Sequence, residues 1–555
     1  MREVFTFGLY TGYKGMVKKK NQSELKTVSL PVQVSKQKDL KQSIAEHWNV
    51  EHAQPFFPSL ETMFKVENIE NVRDHGLKLD DPIQTINSKD SVTTASGRTC
   101  NIHIKQSMIV TAIKWMRGDY GTSFGLPSTK ENTQSAYDKV QLSHNAAYVG
   151  SLFSALFSLS KCIHFPEVYG LYTGVAKKHT IDISDDYEDL SEKSWFSHNV
   201  GSYFELKLAD SVENQAFQHT RRARLEVRMD EDTTLGEIPE MEGIASTTEI
   251  VPDMDPVFHS SDDIEDDDSS DCSTVSTSYM FEIESCKCST EDEGSEFTED
   301  YEPFAWATLS NVPVQLTVME KCEGTLYELM CKHTSTPEHM AWLTQVLFAL
   351  TFAQRTFGFV HNDLHSNNIM YTKTDKQHLL YKFDGQSYKV PTYGYLIKII
   401  DFERGIGSVR VAGMKHAKTF VSDHFSPNEE AGGQYNLEPF HVPKVETIKP
   451  NPSFDLVRLA TSMFWDLFPN GPDETEYDNN PIFTTLKRWM TLDDGTSVMF
   501  GKKDPEHERY HGFELYKAIT RYCKDTAVPR KEVQKLTALY GATLPSTTVF
   551  DVVIF

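Results

Sequence analysis

The chain has 555 residues, 39% of them hydrophobic, which is enough apolar material for a large two-lobed domain or two to three small ones. No stretch reaches the roughly 18 uncharged apolar residues of a membrane span, and the start at Met1 lacks an apolar signal-peptide core, so we expect a soluble cytoplasmic protein. The net charge of −25 is local, since residues 229–302 hold 25 acidic residues and one lysine, and the nearly neutral remainder indicates no nucleic-acid-binding surface.

The first part of the chain is predicted to form strands and one helix. Residues 1–75 alternate short apolar runs with charged stretches and are interpreted as an N-terminal extension of unknown role. Alternation over Cys100–Ile104 and the apolar run Ile109–Trp115 both predict strands, and a further strand is predicted over Phe165–Tyr172. The helix predicted over 137–160 has an apolar face, formed by Tyr148, Leu152, Ala155, Leu156 and Leu159.

The middle of the chain changes character over 229–302, which includes the acidic run Ser260–Asp271. Few large apolar residues interrupt this segment, so it cannot bury enough surface to offset its ordering entropy, and its charges repel one another. We therefore predict a disordered insert within a domain. Apolar patterning resumes at Val312, a long amphipathic helix is predicted over 337–357, and residues 454–555 are predicted to be rich in helix.

The strongest chemical pattern is H-N-D-L-H-S-N-N, from His361 to Asn368, directly after the long predicted helix. A predicted strand, Tyr395–Ile400, then leads into D-F-E, which begins at Asp401. An H-x-D-L-x-x-x-N sequence followed some thirty residues later by an apolar strand and D-F resembles the protein kinase superfamily. The chain is also similar to the divergent serine/threonine kinases of large double-stranded DNA viruses, which share H-N-D-L-H-S-N-N-I and D-F-E-R-G.

This resemblance implies an α+β, bilobal protein-kinase-like fold interrupted by the acidic insert. The β-rich N-lobe would comprise residues 88–228 and, after the insert at 229–302, residues 303–325, which include the hinge. The helical C-lobe would comprise 326–555. The implied activity is the ATP- and Mg²⁺-dependent transfer of the γ-phosphate of ATP to Ser/Thr hydroxyls of a protein substrate. The sequence does not indicate an oligomeric state.

The resemblance also implies roles for residues of the catalytic loop. Asp363 would orient the acceptor hydroxyl and take its proton, and Asn368 and Asp401 would hold Mg²⁺, which favours oxygen ligands. His365 stands where Ser/Thr kinases carry a lysine, and a mostly neutral imidazole would stabilise the transferred phosphate less than an ammonium. His361 and Asp455 are implied to support the loop, the latter from the start of a C-lobe helix.

For the nucleotide, the resemblance implies a second set of residues. Lys114, at the end of the apolar run V-T-A-I-K, would contact the α- and β-phosphates, and Gly97 would be the last glycine of the phosphate loop. Met319 would lie behind the adenine. The carbonyl of Glu320 and the amide of Cys322 would hydrogen-bond the edge of the adenine as the hinge.

The sequence departs from the kinase pattern at several positions. Asn362 replaces the arginine that usually precedes the catalytic aspartate. Because the positive charge of that arginine is absent, no activation-loop phosphate is needed to neutralise it. Glu403 replaces the glycine of D-F-G. No glutamate falls at the usual place on the helix over 137–160 to pair with Lys114, and Glu131 and Asp138 are the possible substitutes.

Three interpretations therefore stay open at this point. The first is a protein Ser/Thr kinase, favoured by the V-T-A-I-K, M-E-K-C-E-G-T-L and D-L-V-R-L segments. The second is a small-molecule kinase, since choline- and aminoglycoside-kinase-like enzymes share H-x-D-x-x-x-x-N and D-F-E-like motifs. The third is a catalytically weak interaction protein on a kinase fold, which the intact set of Asp363, Asn368 and Asp401, together with Lys114, argues against.

Overall fold

The computed structural model describes residues 33–55, 74–121, 126, 144–184, 186–209, 304–409, 417–427, 429–473, 475–501, 508–510 and 512–554. The chain divides into two units, of which the first comprises residues 1–207 and 278–555 and contains every feature discussed below. The second unit, residues 208–277, lies outside the described residues except for its first two. The predicted disordered insert over 229–302 therefore falls outside the described residues and stays a prediction.

The amino-terminal half of the described chain is rich in strands. Its elements are β1 (Val34–Lys36), α1 (Lys41–Trp48), β2 (Val50–Gln54), β3 (His75–Leu77), β4 (Ile83–Ser88), β5 (Ser91–Thr94), β6 (Thr99–Met108), α2 (Ala112–Met116), α3 (Ala146–Leu159), β7 (Val168–Asp182), α4 (Tyr187–Ser191), α5 (Ser194–Asn199), β8 (Phe204–Leu208) and β9 (Ala305–Glu320).

A large antiparallel sheet organises this half, with strands in the order β2-β7-β9-β6-β5-β4 and with β8 also pairing with β9. The last eight residues before Glu320 in β9 are buried on both faces of the sheet. Helix α3 packs against β7 and β9 and contains no charged residue, so it is buried nearly all round, as expected for a helix in the interior. Strand β2 comes from the segment predicted as an N-terminal extension.

The carboxyl-terminal half contains most of the helices. Its elements are β10 (Gly324–Thr325), α6 (Leu326–Lys332), α7 (Thr336–Phe357), β11 (Ile369–Lys373), β12 (His378–Phe383), β13 (Gln386–Pro391), β14 (Tyr395–Ile399), β15 (Gly407–Val409), β16 (Lys418–Phe420), α8 (Phe454–Leu467), α9 (Pro481–Trp489), α10 (Phe513–Tyr522), α11 (Pro529–Lys535), α12 (Thr537–Tyr540) and β17 (Val552–Ile554).

Helix α7 forms the centre of this half and leads into the loop His361–Asn368. Proline stands in its first turn, where no N–H is needed, and Gly358 ends it in the left-handed conformation. Trp342, Phe348 and Phe357 are buried along it. Two small sheets flank it, β10-β11-β14 and β13-β12-β17, so the molecule is a mixed α+β structure with a large antiparallel sheet and many helices.

The structure confirms most of the predicted elements. The helix predicted over 337–357 is α7, and that predicted over 137–160 is α3 within the described residues. The strands over Phe165–Tyr172 and Tyr395–Ile400 correspond to β7 and β14, although β7 runs on to Asp182. Among the described residues, no helix has the length and apolar character required to cross a membrane.

One predicted strand is wrong. The run Ile109–Trp115 does not continue the sheet, because β6 ends at Met108 and residues Ala112–Met116 form the short helix α2. The amide of Trp115 donates to the carbonyl of Thr111 at 2.9 Å, which closes a helical turn. Periodicity cannot distinguish a short apolar strand from a short buried helix, and Lys114 therefore lies on a helix.

Candidate active site

The loop His361–Asn368, which the sequence predicts to be catalytic, is held by backbone contacts on both sides. Val360 and Ile406 exchange two backbone hydrogen bonds of 2.9 Å, and a 3₁₀ turn over Ser366–Asn368 leads into β11. The imidazole Nε2 of His361 lies 2.8 Å from the carbonyl oxygen of Ile400, just before Asp401. The loop and the strand that ends at the D-F-E sequence are thus joined directly.

Asp455 lies under the loop from the first turn of α8. Its two carboxylate oxygens accept hydrogen bonds of 3.0 Å from the backbone N–H groups of His361 and Asn362. Burial raises the pKa of Asp455, and these two N–H donors and the nearby His361 act in the opposite direction. The predicted supporting roles of His361 and Asp455 are consistent with this arrangement.

Asn362 links the loop to two later segments. It is fully buried in a left-handed backbone conformation with φ of 66°. Its amide nitrogen donates to the carbonyl of Arg404 at 2.8 Å, and its amide oxygen accepts from the hydroxyl of Tyr435. The neutral amide of Asn362 therefore connects the loop His361–Asn368 to the chain after D-F-E, and this connection does not require a phosphate group.

Asp363 is partly buried beside two donors. The hydroxyl of Tyr516 donates to its Oδ1 at 2.7 Å, and Nη1 of Arg404 lies 3.6 Å from the same oxygen. Burial alone raises the pKa of Asp363, but the positive charge of Arg404 and the other neighbouring donors hold this pKa well below the ordinary range. The carboxylate is therefore ionised at neutral pH.

Asn368 and His365 form a second pair on the loop. The amide nitrogen of Asn368 donates to the carbonyl of Asp363 at 2.9 Å and lies 3.0 Å from Nε2 of His365. Burial lowers the pKa of His365, so its imidazole is neutral near pH 7. Since both contacts use the amide nitrogen, the amide oxygen of Asn368 makes no hydrogen bond with the described residues and is available to a cation.

Asp401 forms an ion pair with Lys105, which was not among the residues predicted from the sequence to bind phosphate. Nζ of Lys105, on β6, lies 2.6 Å from Oδ1 of Asp401 and 2.9 Å from Oε1 of Glu403. Asp401 has a φ of 62°, which is unusual for an aspartate. Burial raises the pKa of Asp401, but the charge of Lys105 more than offsets this, so the carboxylate is ionised.

Lys114 lies on helix α2 and forms an ion pair with Glu429 rather than with Asp401. The alternating pattern recognised at Cys100–Ile104 continues through Lys105, so the signal for Lys105 was present in the sequence. The apolar run V-T-A-I-K, which ends at Lys114, matches the kinase pattern more closely and therefore favoured Lys114 in the prediction. The structure brings Lys105, and not Lys114, to Asp401.

The predicted adenine-binding residues lie at the end of β9. Met319 is buried and pairs with His103 on β6. The carboxylate of Glu320 lies 2.8 Å from Nζ of Lys398, and its backbone N–H donates to the carbonyl of Glu167. Cys322 follows the strand and makes no hydrogen bond with the described residues, so its amide is available to a ligand.

Gly97 lies in the turn between β5 and β6, with φ of +86°. The neighbouring Ser96 is bound to Asp81 through its amide and its hydroxyl, at 2.8 and 2.7 Å. Because antiparallel strands reverse direction, the turn at 88–91, between β4 and β5, lies at the other end of this hairpin. The carbonyl of Asp90 in that turn accepts from the amide of Ile102, three residues before Lys105, so this turn is nearer to Lys105 along the sheet.

A cavity of about 790 Å³ opens beside Asp363 and Asp401. The carboxylates that line it are those of Asp182, Asp186, Asp363, Asp401, Glu403, Asp423, Glu429, Glu430, Asp466 and Glu508. Among the described residues that line it, the lysines and arginines are Lys114, Arg404 and Arg458. The wall of this cavity is therefore predominantly acidic, and the three predicted adenine-binding residues do not line it.

No group of three His, Cys, Asp or Glu side chains among the described residues is arranged to hold a metal ion on its own. The amide oxygen of Asn368 and the ionised carboxylate of Asp401 nevertheless fit the ligand preference of Mg²⁺. Such a pair suits an ion that takes its remaining ligands from nucleotide phosphates and water.

No protein-family model matches the sequence. The chain is 34% identical over 91 residues to uncharacterized protein 098R of Invertebrate iridescent virus 6, covering 15% of each chain. It is 31% identical over 77 residues to serine/threonine-protein kinase haspin of Mus musculus, covering 14% of this chain and 10% of haspin. It is 22% identical over 200 residues to probable serine/threonine-protein kinase 380R of the same virus, covering 34% of this chain and 37% of that protein.

These similarities confirm a distant relationship to serine/threonine protein kinases, as the catalytic-loop pattern predicted. The chain spans between a tenth and about two fifths of the length of these three relatives. From this relationship we expect, in general terms, a kinase-like function that uses ATP.

Proposed function

We propose that the chain is a protein serine/threonine kinase with a bilobal kinase-like fold. In this proposal the large sheet with α3 is the N-lobe, β9 ends at the hinge, and the part from α6 onward is the C-lobe. The observation that carries the proposal is the ion pair of 2.6 Å between Lys105 and Asp401, which joins the sheet to the loop of Asp363. A lysine, an ionised aspartate and a rigidly held loop are the groups that phosphoryl transfer requires to position the reactants and to neutralise the phosphate charge.

The chemistry assigns one task to each group. The acceptor oxygen forms a bond to the γ-phosphorus while the bond from that phosphorus to the β–γ bridging oxygen breaks, which releases ADP. Asp363 orients the acceptor hydroxyl and takes its proton. Lys105 holds phosphate oxygens of the bound nucleotide, and Arg404, 3.6 Å from Asp363, places positive charge beside the acceptor.

Magnesium would be held by Asn368 and Asp401 and would neutralise charge on the phosphates. The turn at 88–91, rather than Gly97, is proposed to cover the phosphates, because it lies nearer to Lys105. The backbone at Glu320 and Cys322 is proposed to bind the adenine edge.

The acidic cavity favours a substrate with basic residues around the accepted hydroxyl. Asp182 contributes from the sheet half, and Asp466 and Glu508 contribute from the helical half, so carboxylates face the cavity from both sides. Complementary charge selects partners and speeds encounter, and the effect weakens as salt rises.

The test is incubation of the purified chain with labelled ATP, Mg²⁺ and a panel of acceptors. The panel holds Ser/Thr peptides with basic, neutral or acidic flanks, together with choline and an aminoglycoside. We expect transfer to the basic peptides, at a rate that falls with added salt. Transfer to choline or the aminoglycoside alone would identify a small-molecule kinase, and ATP binding without transfer to any acceptor would indicate a non-catalytic protein.

The metal assignment makes a separate prediction. Asp401→Asn and Asn368→Ala should each raise the Mg²⁺ concentration for half-maximal activity by about tenfold or more, because each removes or weakens an oxygen ligand. Titration of Mg²⁺ at saturating ATP measures this effect. The control is Asn479→Ala in the exposed turn before α9, which should leave the requirement unchanged. An unaltered Mg²⁺ requirement in both site variants would refute the assignment.

A further inference from the structure

Glu403, the third residue of the D-F-E sequence, occupies an unexpected place. Its Oε1 lies 2.9 Å from Nζ of Lys105, and the hydroxyl of Ser107 on the same strand donates to it. In protein kinases the phosphate-binding lysine is usually held by a glutamate on the helix that follows its strand. Here a carboxylate does contact the lysine, but it comes from the segment after Asp401.

Helix α3, which packs against this sheet, cannot supply that carboxylate. The stretch Ala146–Leu159 contains no charged residue. Glu131 and Asp138, the substitutes considered from the sequence, lie outside the described residues. Among the described residues, the acidic partners of Lys105 are therefore Asp401 and Glu403.

Gly150 on α3 leaves the space that the side chain of Glu403 occupies. A Cβ atom built at Gly150 would lie 2.6 Å from Cγ of Glu403 and 3.2 Å from its backbone nitrogen. Any larger residue at position 150 would therefore displace the Glu403 side chain or its backbone. The helix carries a glycine at the point where the carboxylate enters from the D-F-E segment.

We propose that Glu403 is the positioning residue that holds the amine of Lys105 for phosphate binding, in place of a helix glutamate. The inference rests on the proposed kinase function. Glu403 and Asp401 stand two residues apart and contact the same lysine, so one short segment sets both the lysine and the metal ligand. If the glutamate were on α3, rotation of that helix would break its ion pair with the lysine. Because α3 carries no carboxylate, its rotation does not by itself remove the carboxylate that contacts Lys105.

The first test is Glu403→Gln, which keeps the shape of the side chain and removes its charge. We expect kcat/KM for ATP to fall by about tenfold or more, with a weaker affinity for Mg²⁺-ATP. The matched control is Glu51→Gln, which breaks another Glu–Lys pair of 2.9 Å, between Glu51 and Lys177 at the edge of the sheet. That control should leave kcat/KM unchanged.

The second test moves the carboxylate to the helix. Glu403→Gly alone should lose activity, and Gly150→Glu alone should clash with Glu403. The double variant, Gly150→Glu with Glu403→Gly, should recover about tenfold or more over Glu403→Gly, because the carboxylate returns to the same space. A role of Glu403 in folding alone would not produce this rescue in activity, and thermal unfolding of each variant separates the two.

The outcomes distinguish this inference from the proposed function. Wild-type activity that persists in Glu403→Gln, with unchanged ATP affinity, would overturn the inference and leave the kinase function intact. If the wild-type chain binds Mg²⁺-ATP without transferring phosphate, the kinase function fails, and the affinity of Glu403→Gln for the nucleotide still decides the inference. A wild-type chain that does not bind Mg²⁺-ATP would overturn both.

Discussion

Replacing Asp363 by asparagine should reduce phosphate transfer by about 10²- to 10⁴-fold, the range expected when a general base is lost. The affinity for Mg²⁺-ATP should change little, because Asp363 acts on the acceptor hydroxyl and not on the bound nucleotide. Asparagine keeps the side-chain volume beside Tyr516 and Arg404, so the loop should retain its shape. Initial rates with labelled ATP, together with calorimetric ATP binding, measure the two effects separately.

The control for this experiment is Asp375→Asn in the exposed turn before β12. It removes an equivalent charge far from the loop and should leave both rate and affinity unchanged. Residual transfer by Asp363→Asn within a few fold of wild type would show that Asp363 is not the base.

The two candidate lysines should behave very differently. Lys105→Met should lower kcat/KM by about 10²- to 10³-fold, since it removes the cation that contacts Asp401 and is proposed to bind phosphate. Lys114→Met should change it by about threefold or less, because Lys114 pairs with Glu429 and not with Asp401 or Glu403, so it is not proposed to bind phosphate. The measurement is kcat/KM for ATP in both variants at the same Mg²⁺ concentration.

Thermal unfolding serves as the control for this comparison. Lys105→Met leaves the carboxylates of Asp401 and Glu403 without their cation, so some loss of stability is expected as well. Lys105→Arg keeps the charge and should preserve stability better than activity, because a planar guanidinium differs in shape from an ammonium. A greater loss of activity in Lys114→Met than in Lys105→Met would restore the original prediction for Lys114.

The sequence by itself determined the local parts of the site. The catalytic loop and its supporting helices are contiguous patterns, so the spacing of His361, Asp363 and Asn368 predicted one loop between α7 and β11. The helical period over 337–357 predicted α7 correctly. The brace by Asp455 was implied only by the resemblance to kinases, since its contact with His361 spans 94 positions. The loop and α7 depend on neighbours within a few residues, which a single sequence displays.

Only the tertiary structure decided which lysine and which carboxylate meet. Lys105 and Asp401 are 296 positions apart, and their contact depends on the register of β6 against β9. A shift of one residue in that register would turn Lys105 to the other face of the sheet, and no local pattern specifies the register across such a distance. The sequence showed only that Glu403 stands where the kinase pattern has a glycine. Its contact with Lys105 on β6 and the space left by the missing side chain of Gly150 exist only after the sheet, α3 and the D-F-E segment have packed together.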